Sequence, residues 1–335
     1  MAELNKQSAY GVALGYGESV QNMDKIEDYI DNMDSNAKVT SPVYWTYDSS
    51  NKAILKVNRD YAASQGPRNF EAEQNRLKTA TLKNYYTFKE LETQEKIAEE
   101  NLNLKEKLLA NTQLKYKLGT VAKNDVLKAE IAVNEAQNQL TAAGNSLRTM
   151  KMVFNQFMGY GLMQNVILTD SIQELPFPSK SLEASIADAL VNRNEVSAAA
   201  YNLNMAYLDF KNYKAYPTNS SKYIKAKMAV LMAETNSQNT PLNVEIDVRN
   251  KYMSMYQNYT SIQTVKKNVD NAKETVRLVQ LQYDAGMATL TDVEGAQLTY
   301  YNVQIAYSRV LLGYNLAVEE YDLSSGVGTD TAAIR

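Results

Sequence analysis

Two stretches of this chain carry an unbroken 3-4 alternation of apolar residues, and each begins at the same short motif. The motif reads YKLGTVAKNDV over residues 116–126 and YDAGMATLTDV over residues 283–293. Tyr116 corresponds to Tyr283, Gly119 to Gly286, Asp125 to Asp292 and Val126 to Val293, always 167 residues apart. After Asp292 the apolar positions are Val293, Ala296, Tyr300, Val303, Tyr307, Val310, Tyr314, Ala317 and Tyr321. After Asp125 they are Val126, Ala129, Val133, Ala136, Leu140, Ala143, Leu147, Met150, Phe154 and Phe157. A 3.5-residue period held over about four heptads specifies a left-handed coiled-coil seam rather than a merely amphipathic helix.

The same spacing leads into the second motif through Ile262, Val265, Val269, Ala272, Val276, Val279 and Tyr283. Each motif therefore joins an incoming helix to an outgoing one. Glycine takes the positive φ that stops the first helix, and aspartate suits the first turn of the second. Tyrosine closes the seam just before the turn. Turn chemistry, built twice by duplication, explains these residues as well as a functional role does. On that reading the side chains of Thr120 and Met287 are not needed for the turn.

Gly159 and Gly326, again 167 apart, mark the ends of the outgoing helices. Pro67 and Pro241 are the expected starts of the incoming ones, since proline favours a first turn. Between the hairpins, Ser181 caps a short helix to about Val191, and Asn194 starts another to about Ala215. The first 35 residues read as a further helix. Residues 38–66 suggest a short strand pair, with Val43, Trp45 and Tyr47 alternating and then Ile54 to Val57. Residues 217–240 look helical in the middle. The expected fold class is all-α: two tandem helical repeats, residues 1–160 and 161–335, forming one elongated domain with four long helices and two short ones.

Composition narrows the function. With no Cys there is no disulfide or thiolate metal site, and with no His the commonest acid/base and metal ligand is missing. Asp and Glu read as solvated helix faces and caps, so the expectation is no enzyme, no metal and no cofactor. A net charge of −3 without a long basic run argues against nucleic acid. No apolar run reaches the ~18–20 residues of a membrane helix. The opening MAELNKQSAY lacks the charged region and apolar core of a signal peptide, which leaves either a cytosolic chain or the mature form of an exported one. The tyrosines of the second seam read as core, each hydroxyl reaching a polar partner. Lys211, Lys214, Lys222, Lys225 and Lys227 read as a solvated face, with an anionic wall polymer or lipid surface as the sharper alternative.

The duplicated Y-x-x-G-x-x-x-x-x-D-V with its heptad helices, and the linking stretch LPFPSKSLEASIADALVNRNEVSAAAYNLNMAYLDFKN with its helix opening on R-N-E, resemble the TolC-like outer membrane efflux proteins. The resemblance covers roughly residues 67–216 and 241–326. It implies a homo-oligomer of three protomers forming an α-helical tube, whose end meets a periplasmic adaptor linked to an export transporter. It further implies that Leu118, Gly119, Thr120 and Ala285, Gly286, Met287 are the adaptor-facing tips, and that Asp125, Tyr283 and Asp292 form a constriction. Gly295 and Ala288 stand where that family carries a second constriction acid and a basic gate residue. The family's transmembrane β-barrel strands belong at 38–66 and 217–240, which are too short and too poorly alternating to cross a bilayer. The implied function is an exported cell-envelope conduit; a structural cell-surface tube or filament of coiled-coil hairpins is the alternative.

Overall fold

The computed structural model describes residues 2–334. Nine helices follow one another among them. They are α1 (Ala2–Asp31), α2 (Ser35–Thr40), α3 (Pro42–Thr46), α4 (Ser49–Lys117), α5 (Lys123–Met158), α6 (Leu182–Asn192), α7 (Asn194–Lys211), α8 (Ser221–Asp284) and α9 (Leu290–Ser324). No strand occurs among the described residues, so no β-barrel does either. The chain divides into two compact units. The first takes the chain up to Thr79, Pro178–Tyr252 and the chain from Glu320 onward; the second is Ala80–Phe177 with Met253–Glu319.

The second unit contains the lower part of α4, all of α5, and the parts of α8 and α9 nearest the repeated motif. Its interior is the seam read from the sequence. Ala129, Ala136, Leu147, Met150 and Phe154 of α5 are buried, as are Ile262, Ala272 and Tyr283 of α8 and Val293 and Tyr314 of α9. Phe88 of α4 meets Phe154 edge to face with ring centroids 5.4 Å apart. After α5, residues 159–177 run without regular structure, and buried asparagines satisfy their backbone groups. Asn155 donates to the carbonyls of Leu162 (3.0 Å) and Gln164 (2.8 Å). Asn315 donates to the Gln173 carbonyl (2.7 Å) and accepts from the Leu175 N–H (3.1 Å). Such pairing is what lets an irregular segment lie against a core.

The first unit is organised around the start of α7. Arg193 donates to Glu195 and, at 2.8 Å, to Asp247 of α8, which also pairs with Lys251. The segment after α9 is tied down nearby. Asn69 both donates to the Ala332 carbonyl (2.7 Å) and accepts from its N–H (2.8 Å). Asn75 donates to the Gly328 carbonyl, and Asn194 to that of Asp330.

Three expectations are corrected here. Residues 38–66 contain no strand pair: α2 is capped by Asp34, which accepts from Ala37 N–H at 2.8 Å, and α3 by Ser41. Val43 and Tyr47 alternate along a strand, but they are also i and i+4 of a helix, where Tyr47 N–H donates to the Val43 carbonyl (3.0 Å). A run this short does not separate the two periods. The Trp45 side chain lies outside the described residues. Next, neither Pro67 nor Pro241 starts a helix; each lies inside one, α4 from Ser49 and α8 from Ser221. An interior proline costs ~3 kcal/mol. Around Pro67 tertiary packing offsets it, since Gly66 lies so close to α1 that a Cβ there would stand 2.7 Å from that of Ala9. Buried Gln65 adds hydrogen bonds to Asn69, Asn194 and Ser197. Finally, the seam tyrosines are not all satisfied. Tyr321 donates to Ser185 (2.9 Å), but the buried Tyr314 hydroxyl has no hydrogen-bond partner among the described residues.

Candidate docking turns

Both repeated motifs fold into the same turn. Gly119 has φ +74° and Gly286 φ +78°. Behind Gly119, its N–H donates to the Tyr116 carbonyl (2.9 Å) and the Thr120 N–H to that of Lys115 (2.9 Å). Behind Gly286, the bonds run from its N–H to Tyr283 (3.1 Å) and from Met287 to Gln282 (2.8 Å). These are the paired bonds of a Schellman ending, with glycine at the left-handed position. Neither glycine has an atom within 4 Å of where a Cβ would sit, so glycine is required by backbone conformation and not by crowding.

The outgoing helices restart through the aspartates. Asp292 accepts from the Thr289 N–H (2.8 Å) and hydroxyl (2.6 Å), while Thr289 Oγ1 accepts from the Asp292 N–H (3.2 Å). That reciprocal box, three residues apart, is a helix N-terminus signature. The Thr289 hydroxyl and then its N–H hold the Asp292 carboxyl below its ordinary range. In the first copy Ala122 replaces the threonine, and only one half of the box remains: Asp125 accepts from the Ala122 N–H at 3.2 Å. Asp125 and Asp292 are thus both consumed in starting a helix.

The ends of α4 and α8 lie side by side, which brings the two turns together. Asn111 donates to Asp284 (2.8 Å), and the Lys115 ammonium donates to the Tyr283 carbonyl (2.6 Å) and sits 3.6 Å from that ring's centroid. The Tyr283 and Thr112 hydroxyls are 3.1 Å apart. Tyr283 is only 4% exposed, packed with Leu108, Ala129, Leu290 and Val293, with Ala288 against the cluster. Its sequence counterpart Tyr116 is 45% exposed. The apex residues project outward, Leu118 at 70% and Met287 at 76% exposure, with Ala285 and Thr120 also exposed. Thr120 corrects the expectation that its side chain is idle, since its hydroxyl donates to the Lys115 carbonyl at 2.9 Å and completes the turn.

Sequence reading missed Thr112 and Lys115, which hold Tyr283 in place. A signal existed for the first: Thr112 is a polar residue where the second copy has Val279 in its seam. Asp292 and Gly295 together line a groove of about 460 Å³ between α8 and α9. On its other side Gly295 lines a cavity of about 270 Å³ with Asn101, Lys105 and Glu294. Burial lowers the Lys105 pKa against the charges of Glu294 and Glu135. Nothing lies within 4 Å of a Cβ built on Gly295, which sits inside α9. Replacing it with alanine is expected to raise stability by about 0.5–1 kcal/mol by reducing unfolded-chain entropy. An upward shift of the thermal midpoint checks this; a downward shift refutes it.

Residues 215–326, which span α8, the second turn and α9, match the outer membrane efflux protein family. Solved structures agree over nearly the whole chain. The outer-membrane channel OprN aligns with a TM-score of 0.69 at 11% identity, over 97% of this chain and 90% of its own. The CmeC outer membrane channel of Campylobacter jejuni aligns at 0.66 and 11% identity, over 98% and 87%. The chain shares the helical fold of these outer membrane channels. The outer membrane protein VceC of Vibrio cholerae adds a TM-score of 0.65 at 15% identity, over 84% of this chain and 77% of its own. At such identities the likeness is one of fold. No curated protein sequence matches the chain. The two turns lie at corresponding places in the two copies of the motif, and their glycines share one backbone conformation.

Proposed function

We propose that this chain is the helical conduit component of an export assembly in the cell envelope, docking an adaptor protein at its two tip turns. The observation that carries the reading is the pairing of those turns. Two identical Schellman endings lie together in one unit, each presenting a large apolar side chain, Leu118 or Met287, that does nothing for the turn itself. Exposed apolar apices beside unencumbered glycine backbone suit close approach by another helical protein. The family match over residues 215–326 supports the efflux role. On this reading residues 1–160 and 161–335 are two tandem repeats of one domain, and protomers associate in a closed homo-oligomer, a trimer, with an adaptor and a transporter as partners. Asp292 then lines the narrow end, while Asp125 and Tyr283 help hold it closed.

The test separates docking from folding. Leu118→Ser and Met287→Ser are expected to leave helicity and assembly unchanged while abolishing adaptor capture and export. Gly119→Ala serves as the control for the turn and costs about 1 kcal/mol or somewhat more through the left-handed backbone. If the Leu118 and Met287 variants capture adaptor and export normally, docking at the tips fails and a purely structural tube takes its place. A stable monomer at micromolar concentration by sedimentation overturns the closed assembly.

A further inference from the structure

One end of the first unit is unlike the rest of the molecule. The packing of its helices defines that end. Lys52 of α4 pairs with Asp24 of α1 at 2.6 Å. Gln65 and Asn58 of α4 bond Ser197 and Tyr201 of α7, and the Tyr61 and Tyr201 rings stack 3.8 Å apart. Phe210 of α7 meets Tyr223 of α8 at 5.4 Å. These antiparallel registers bring the segment after α1, residues 32–48 with α2 and α3, level with the turn between α7 and α8, residues 212–220.

The second of these turns and its flanks read KNYKAYPTNSSKYIKAK, residues 211–227. The stretch holds Lys211, Lys214, Lys222, Lys225 and Lys227 and no acidic residue, in a chain of net charge −3. All five lysines are exposed, and none makes an ion pair among the described residues. Beside them α1 ends on Asp31, and residues 32–48 hold Asp34 and Asp48, but these two are committed to backbone N–H groups. Interleaved with the lysines are exposed Tyr216, 5.0 Å from the Lys222 ammonium, and exposed Ile224 and Met228 on the first turns of α8. Ala226 and Val230 turn inward, so the apolar stripe and the buried face are separate.

We infer that this end binds an anionic phospholipid surface, with the five lysines over the headgroups and Tyr216, Ile224 and Met228 at the level of the headgroup–acyl boundary. A polyanion alone would require only the charge. The tyrosine and the exposed aliphatic side chains among the lysines are what an interface rewards, because amphipathic and snorkelling side chains place apolar stems in the boundary and polar tips in water. The inference does not rest on adaptor docking, since the lysines lie outside both tip turns.

The test uses the full chain and vesicles of phosphatidylcholine with or without abundant phosphatidylglycerol. Co-sedimentation is expected with the anionic vesicles only, falling as salt is raised. Lys222→Gln with Lys225→Gln is expected to lower the partition coefficient about 25-fold, at about five-fold per lysine near an anionic surface, with helicity unchanged. Tyr216→Ser is expected to lower it further. Absence of binding to anionic vesicles, or equal binding by the double variant, overturns the inference. Retention on an anionic cell-wall polymer without vesicle binding overturns it in favour of that polymer.

Discussion

Phe88→Ala is expected to lower stability by about 3–5 kcal/mol, the cost of emptying an aromatic site in a packed core. Phe88 is fully buried and belongs to a cluster with Leu147, Met150 and Phe154, with Leu91, Val166 and Leu168 against it. Its edge-to-face contact with Phe154 joins α4 to α5, and Val166 and Leu168 bring in the irregular segment after α5. Relaxation into the gap would have to move helices on two sides, which is why the upper range applies. Chemical denaturation gives the number, and a loss below about 1 kcal/mol would show that the cluster does not hold this unit together.

Arg193→Met is expected to cost on the order of 2–3 kcal/mol. A buried charge that loses its partner costs about 3–5 kcal/mol, but here the carboxylates left behind are about one-third exposed and water screens them. The arginine also packs against Gly328, where a Cβ would approach its Nε to 3.0 Å, so its removal loosens the tail as well. The pH dependence has a definite sign. Burial works against ionisation of both carboxyls, yet Arg193 at Glu195, and Lys251 and Arg193 at Asp247, outweigh it and hold both below the ordinary carboxylate range. Groups depressed on folding stabilise above their unfolded values, near 4, and that contribution is lost as pH falls through the folded ones. The stability gap between wild type and variant should therefore narrow from pH 7 toward pH 3. A gap that stays constant from pH 7 to pH 3 would assign the effect to packing alone.

The parts of the molecule that were legible in the sequence are those set by local chemistry. Heptad spacing identified the seam because a coiled coil repeats its burial every 3.5 residues; of the first series only Phe157 lies exposed at the surface. Gly119 and Gly286 were legible because only one backbone conformation closes such a helix, and Asp125 and Asp292 because a capping carboxylate sits at a fixed offset. Tyr116 and Tyr283 mark the limit. Their local contexts match, yet one is exposed and the other buried, because Thr112 and Lys115 reach Tyr283 from another helix. The prolines misled for the same reason, since neighbours distant in sequence override a local preference. The R-N-E stretch announced Arg193 and Glu195 but not Asp247, which arrives from 54 residues away.

The tether between Asn69 and Ala332 joins residues 263 positions apart. In kinetic terms it is a very late closure: the whole of the second unit's sequence lies inside that loop. Loop entropy grows only with the logarithm of length, so the free-energy cost of so large a ring stays modest, but contacts of this range form slowly. Helical hairpins of the second unit can assemble from neighbours in sequence, whereas the first unit stays open until its two distant edges find each other. Asn69, Asn75 and Asn194 act as the clasp on that ring, and its fastening is expected to set the slowest step by which the chain reaches its final form.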